Sequence, residues 1–163
     1  MGINFEQKGG YTGGLMEKEV LGGLKLEKED VYVPFREAMK WVEQHQSGDP
    51  ADPDPRFAND LHATVAEMLG IEDLRNIKFF TAVGSPLDKF HGIDAFFKIK
   101  EGGEELTITL DVTINPAKGD RYKADVIISI PPDGLDPRED RKLYLEKINE
   151  VAAEIVDRVG VIA

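Results

Sequence analysis

Two neighbouring segments of the chain alternate between apolar and polar residues, and each carries one aspartate on its polar side. From Leu106 to Ile114 every second residue is apolar, which is the period of a half-buried β-strand. The segment from Ile93 to Ile99 follows the same rhythm, with Asp94 among its polar positions. In the later segment Asp111 stands between threonines. The pattern therefore predicts two adjacent strands, each with one acid off its apolar face.

A glycine pair between these segments predicts how they are aligned. Gly102 and Gly103 form the centre of a type I′ hairpin turn, which requires positive φ at both positions. The register that follows pairs apolar residues throughout, namely Ile99 with Leu106, Phe97 with Ile108 and Ala95 with Leu110. The same register sets Asp94 directly opposite Asp111, and a slip of one residue would spoil every match.

Two opposed carboxylates suggest a cation. Directly opposed side chains have Cβ atoms about 4.5–5.5 Å apart, and like charges at that distance are destabilising. Mg²⁺ or Mn²⁺ would offset the repulsion, because both ions prefer carboxylate oxygens and keep several waters. The alternative is that Asp94 and Asp111 are solvated, or that one of them pairs with Lys98, Lys118 or Lys123.

Helical periodicity appears in three other stretches. One helix follows Pro34, and another follows Asp54 and Pro55, which fit the capping and first positions. A long third helix follows Asp136 and Pro137. The apolar stripes predicted to face the core are Phe35, Met39 and Val42; Phe57, Leu61, Val65 and Met68; and Tyr144, Ile148, Val151, Ala152, Ile155 and Val159.

These elements predict an α+β fold. Further strands are predicted at 77–83 and 124–130, so the sheet has four strands, mostly antiparallel or mixed, with the helices packed on it. Residues 31–163 are expected to form one domain. Residues 1–30 read as a glycine-rich N-terminal arm, since seven of the sixteen glycines lie in the first 23 residues and no apolar period is sustained there.

The composition and net charge limit the kinds of partner that this protein is expected to bind. The chain of 163 residues has no cysteine and a net charge of −11, which argues against broad electrostatic capture of nucleic acid. Lys118, Arg121 and Lys123 form one basic turn that could contact nucleic acid locally, or that is simply solvated. Without an apolar run of membrane-spanning length or a leader pattern, a cytoplasmic protein with no membrane contact is expected.

The three histidines do not suggest zinc. His45, His62 and His91 form no i, i+4 pair, and there is no cysteine to complete a tetrahedral site. His91 lies three residues before Asp94, where it could carry protons beside the acids, although a histidine in such a place is often only a loop residue.

A helix with an acid, followed by strands with Gly92-Ile93-Asp94 and Leu110-Asp111-Val112-Thr113, resembles the PD-(D/E)xK, or restriction-endonuclease-like, nuclease superfamily. The resemblance covers about residues 56 to 130. It implies that Asp94 and Asp111 bind Mg²⁺ or Mn²⁺ and that Glu67, or alternatively Asp60, is the helical acid. It also implies phosphodiester hydrolysis, in which a bound metal lowers the pKa of its water.

The chain departs from the family pattern at two places. Thr113 stands where the family has a lysine, so Lys118 or Lys98 would have to take its role from another position. The family places a helix between its third and fourth strands, but only residues 115–123 separate them here. That segment is either one helical turn or a plain hairpin, and a hairpin would break the family topology.

A function of another class also fits the sequence. The protein could be a non-catalytic assembly or structural protein, such as a component of a larger particle. Residues 1–30 would then contact another subunit, either in a homo-oligomer or with an assembly partner. The missing lysine and the acidic net charge favour this alternative, whereas the opposition of Asp94 and Asp111 favours the enzyme.

Overall fold

A four-stranded sheet with helices on both faces forms the body of the protein. The computed structural model describes residues 13–24, 31–114 and 123–162. The helices are α1 Gly13–Leu21, α2 Phe35–Gln44, α3 Arg56–Leu69, α4 Pro86–His91 and α5 Arg141–Ile162, and the strands are β1 Ile77–Thr81, β2 Ala95–Glu101, β3 Glu104–Thr113 and β4 Val126–Ser129. The α+β class and the mixed sheet predicted from the sequence are confirmed.

The strands lie in the order β1-β2-β3-β4, and the predicted hairpin register is confirmed. The pairs β1–β2 and β2–β3 are antiparallel, with Ile99 opposite Leu106 and Ala95 opposite Leu110. The last pair, β3–β4, is parallel. The connection between these strands is therefore not a plain hairpin, because a hairpin would make the pair antiparallel. Residues 115–122 of that connection lie outside the described part of the chain.

Each face of the sheet has its own apolar core. Phe79 and Phe97 belong to the core on the face covered by α3 and α5. Phe80 and Phe96 belong to the core on the opposite face, which α2 and α4 cover. Because both faces are covered, the central strands are apolar on both sides and their few polar groups are enclosed by helices.

The predicted stripe of α5 is confirmed, since all six of its apolar residues are buried. The helix itself begins later than expected, at Arg141, and it continues past Gly160. The Asp136 carboxylate accepts the backbone N–H groups of Arg138 and Glu139 at 2.7 and 3.0 Å. It therefore caps the turn that precedes the helix.

Details of the other two predicted helices differ from expectation. Pro55 is itself the N-cap of α3, and no side chain caps this end, so the capping role predicted for Asp54 is wrong. Met68 is 45% exposed and Phe35 is 44% exposed, so neither side chain belongs to the core. In α2 the buried residues are Ala38 and Val42.

Two helices were not predicted, and both lie near the paired acids. The glycine-rich pattern predicts that 13–21 is part of the arm, and the segment 86–91 reads as a loop, but these segments form α1 and α4. Residues 1–12 and 25–30 of the predicted arm are outside the described chain. In the parts that the structure describes, no helix has the length and apolar character required to cross a membrane.

Candidate metal centre

Asp94 and Asp111 meet at the end of the β2–β3 hairpin. Asp94 is 1% exposed, and its Oδ2 accepts the Val112 N–H at 2.9 Å. Its own N–H donates to the carbonyl of Leu110 at 2.9 Å. Asp111 on β3 is half-buried, and its carboxylate is hydrogen-bonded to the carboxyl group of Asp94. Two carboxyl groups in such contact share a proton.

The buried position of Asp94 removes two of the alternatives for this residue. An acid that is 1% exposed is not solvated, so the interpretation of a wet strand face is wrong for Asp94. Pairing with Lys98 is also wrong, because the Lys98 Nζ lies 2.7 Å from Glu43 and 3.8 Å from Glu105.

Two further acids from outside the hairpin complete the cluster. Glu17 comes from α1 and Asp88 from α4, and both are half-buried. One carboxylate oxygen from each of Glu17, Asp88 and Asp94 lies within 4.8 Å of the other two. We call Glu17, Asp88, Asp94 and Asp111 the acid cluster. Its members reach one place from four different segments of the chain.

A tight turn holds Asp88 in place. The Ser85 hydroxyl accepts the Leu87 N–H at 3.1 Å and the Asp88 N–H at 3.4 Å, so Ser85 caps α4. The Asp88 Oδ2 in turn accepts the Gly84 N–H at 3.0 Å. The helix ends after six residues at Gly92, whose φ of 68° lets the chain turn toward Asp94.

Contacts at the end of α1 place Glu17. Leu21 is fully buried in the core on the α3–α5 face. The Thr81 hydroxyl donates to the Gly22 carbonyl at 3.1 Å, and the Leu24 N–H donates to the Val83 carbonyl at 2.7 Å. These bonds tie the end of α1 to the last residue of β1 and to the segment that follows it, and α4 follows that segment directly.

Burial and neighbouring carboxylates favour the uncharged forms of Glu17, Asp94 and Asp111. Burial raises the pKa of Glu17 from 4.5 to about 7, and the charges of Asp88 and Asp111 add to the rise. Burial also raises the pKa of Asp94, and the hydrogen bond to Asp111 raises it further. The pKa of Asp111 is raised as well, mainly by burial. Among the described residues, the charged groups that produce these pKa shifts are all carboxylates.

This titration predicts how stability depends on pH in metal-free solution. Because Glu17 has a higher pKa in the folded state than in the unfolded state, its contribution is complete below about pH 4.5 and is lost as the pH rises to about 7. We expect Glu17→Gln to flatten this part of the profile, measured by urea denaturation in EDTA at a series of pH values. Parallel profiles for the wild type and the variant would contradict the assignment.

The other predicted site acids lie elsewhere. Glu67 is exposed on α3 and is not part of the acid cluster. Asp60 accepts a hydrogen bond of 2.6 Å from the Tyr144 hydroxyl and pairs with Arg56 at 3.5 Å. Glu17 on α1 and Asp88 on α4, rather than an acid on α3, are thus the helical acids that the fold brings to Asp94.

The structure describes only some of the basic residues and histidines that the sequence suggests for the site. Lys118 and Arg121 lie outside the described residues, and Lys123 is exposed. The Nε2 of His91 is 2.8 Å from the Val33 carbonyl, so this nitrogen is occupied by the backbone. The Nε2 of the buried His62 lies 2.9 Å from the Ile77 carbonyl. Any proton-carrying role of His91 would use its other nitrogen.

Sequence reasoning missed Glu17 and Asp88 for different reasons. Asp88 had a local signal, because Ser85 followed by Pro86 matches an N-cap and a first helical position, and an acid in the first turn fits that pattern. Glu17 had no such signal. Its segment is glycine-rich, and its approach to Asp94 follows from the packing of α1 on the core.

The fold and the acid cluster together define an α+β protein with an all-carboxylate centre at the end of a central hairpin. Compared with known proteins, the chain matches no family model, no curated protein and no solved structure.

Proposed function

We propose that the acid cluster binds Mg²⁺ or Mn²⁺ and that the protein is a divergent metal-dependent nuclease that hydrolyses phosphodiesters. One observation carries the proposal: carboxylate oxygens of Glu17, Asp88 and Asp94 converge within 4.8 Å of one another, and Asp111 contacts Asp94. Among the described residues, only carboxylates contribute the charge effects on the pKa values of Glu17, Asp94 and Asp111. Such an arrangement is costly for the empty protein, because buried charges require a partner of opposite sign. A divalent cation would supply it.

The donor set fits a hard cation. All four groups offer carboxylate oxygens, which suit Mg²⁺ and Mn²⁺, and the cluster contains no cysteine or histidine nitrogen that would favour zinc. Asp94 would be the central ligand, because its carboxylate lies within 4.8 Å of those of Glu17 and Asp88, and Asp111 would join it as its partner across the hairpin. The Val112 N–H fixes the orientation of Asp94. A bound ion would take the place of the proton between Asp94 and Asp111.

The chemistry would be the attack of water on phosphorus. A bound metal lowers the pKa of water and offsets charge on the phosphate. In the reaction the water oxygen bonds to phosphorus, the bond from phosphorus to the leaving ester oxygen breaks, and that oxygen departs as an alcohol after taking up a proton. The half-buried centre restricts the access of bulk water to this region.

Topology lends the proposal some support. The parallel pairing of β3 with β4 is what a crossover connection between these strands produces, and the nuclease family has a helix at that point. A restriction-endonuclease-like core is therefore part of the proposal. So are a catalytic role for Lys118, a nucleic-acid contact by the turn with Lys118, Arg121 and Lys123, and a cytoplasmic location, which the absence of cysteine favours.

The test is a nuclease assay on labelled DNA and RNA, single- and double-stranded, with Mg²⁺ or Mn²⁺. We expect cleavage that EDTA abolishes and that Asp94→Asn lowers at least about 100-fold, since the metal would lose a central ligand. Glu67→Gln is the matched control, because Glu67 is an exposed acid outside the cluster. Equal activity in wild type and Asp94→Asn would refute the proposal.

A function in assembly has less support. Among the arm residues that the structure describes, those at 21–24 contact the body of the same chain, as Leu21 and Leu24 do. Such contacts leave the alternative open but do not favour it. The proposal that residues 1–30 contact another subunit would be tested by removing residues 1–12 and measuring the molecular mass in solution.

A further inference from the structure

We propose that a row of surface aromatic rings next to the acid cluster binds the bases of a single-stranded nucleic acid. The row consists of Tyr32, Phe35, Phe90 and His91, and we call it the aromatic row. This inference rests on the proposed function, because it assigns the substrate class of the same centre. A strand lying on the row would have a phosphate near the acid cluster.

The rings contact one another in sequence along the surface. Tyr32 lies 5.4 Å from Phe90 and 5.6 Å from His91, measured between ring centroids. The ring of Phe35 is 5.5 Å from that of His91, edge to face. The Nε2 of His91 also bonds the Val33 carbonyl, which ties the segment before α2 to the end of α4. The row is therefore held by both tertiary and ring contacts.

Two of these rings, Tyr32 and Phe35, remain open to solvent, whereas Phe90 and His91 are half-buried beneath them. Tyr32 is 62% exposed and Phe35 is 44% exposed, and the adjacent Val31 is 71% exposed. The core on this face of the sheet is filled by other residues, including Phe80 and Phe96. A contiguous exposed aromatic surface on a small protein commonly marks a place where something binds.

The position of the row points to the same ligand as the acid cluster. Asp88 and His91 stand three residues apart on α4, and residues at this spacing are neighbours on one helix face, with Cβ atoms about 5–6 Å apart. The row therefore begins one helical turn from an acid of the cluster. A polymer that places one phosphate at the cluster would bring an adjacent base to the rings.

Charge around the row also fits a polyanion. Arg36 and Lys40 are exposed on α2, one helical turn apart. Between residues 31 and 40 the only acid is Glu37. Residues 31–40 therefore carry a net positive charge in a chain whose net charge is −11, and their two cations would hold phosphates on the side of the rings away from the acid cluster.

The ligand is a single strand because only unpaired bases present their faces. Stacking of bases on aromatic side chains is a general mode of single-strand recognition and tolerates any sequence. A duplex hides its base faces and depends more on an extended cationic surface, which the acidic charge of this protein does not favour.

The test is equilibrium binding of a short, fluorescently labelled oligothymidylate, followed by anisotropy in Ca²⁺, an ion that prefers oxygen ligands, with EDTA as the comparison. We expect Tyr32→Ala and Phe35→Ala each to weaken binding by about 5- to 150-fold. Leu143→Ala is the matched control, because Leu143 is 58% exposed on α5 and should not alter the affinity. The same sequence in duplex form should bind the wild type more weakly.

Two measurements on the same variants separate this inference from the proposed function. Thermal unfolding with Mn²⁺ measures whether the acid cluster binds the ion, and sedimentation measures the oligomeric state. Unchanged oligonucleotide affinity in Tyr32→Ala and Phe35→Ala would overturn the inference even if the Mn²⁺ response is intact. Loss of affinity in both variants, without a Mn²⁺ response in the wild type, would support the aromatic row and refute the metal centre. A change of oligomeric state in place of a change in affinity would make the row a contact between copies and overturn the inference.

Discussion

Asp111→Asn is expected to stabilise the metal-free protein and to abolish its stabilisation by Mn²⁺. In the metal-free protein Asp111 is half-buried and faces Asp94 and Asp88, and its raised pKa shows that the fold disfavours its charge. Asparagine is uncharged and of similar shape, so the cost of burying the charge and its repulsion by Asp88 disappear. A neutral amide is also a weaker ligand for a hard cation than a carboxylate is.

The measurement is the unfolding midpoint at pH 7.5 over a range of Mn²⁺ concentrations. An ion that binds only the folded state stabilises it by about 2.7 kcal/mol at a concentration 100 times its dissociation constant. The wild type should therefore show a saturable rise. Glu67→Gln should show the same rise as the wild type, because Glu67 lies outside the acid cluster. An undiminished rise in Asp111→Asn would exclude Asp111 as a ligand.

Gly84→Ala is expected to be among the most damaging single substitutions in this protein. Gly84 has a φ of 87°, and a Cβ there would collide with the backbone carbonyl oxygen of Leu24. A side chain at positive φ costs about 1–3 kcal/mol in backbone strain, and the contact with Leu24 forces the backbone to move as well. We expect a total loss of about 2–4 kcal/mol, measured by urea denaturation.

Gly70→Ala is the matched control for this prediction. Gly70 has a φ of 70° at the end of α3, and a Cβ there would meet nothing within 4 Å. Gly70→Ala should therefore lose only the free energy that corresponds to backbone strain. Gly84→Ala should also weaken the Mn²⁺ response, because it displaces the segment that ties α1, and with it Glu17, to the loop before Asp88. Equal losses in the two variants would show that the Leu24 contact has no effect.

The hairpin could be predicted from the sequence because the residues that determine its register lie within the hairpin itself. Alternation of apolar residues decides which side of a strand is buried, and the pair Gly102–Gly103 decides the turn, so together they define the register that the structure has. The apolar stripe of α5 could be predicted in the same way, because helical periodicity shows which side of a helix is buried without showing what packs against it.

The sequence by itself thus determined the α+β class, the hairpin register and the meeting of Asp94 with Asp111. Tertiary structure alone decided that Asp94 is buried, because helices cover both faces of the sheet. Tertiary structure also decided that Glu17 and Asp88 join it, and that Lys98 pairs with Glu43 instead. The physical reason is that strand pairing within a hairpin follows from local residue pattern, whereas the approach of a helix to a strand depends on the packing of distant side chains.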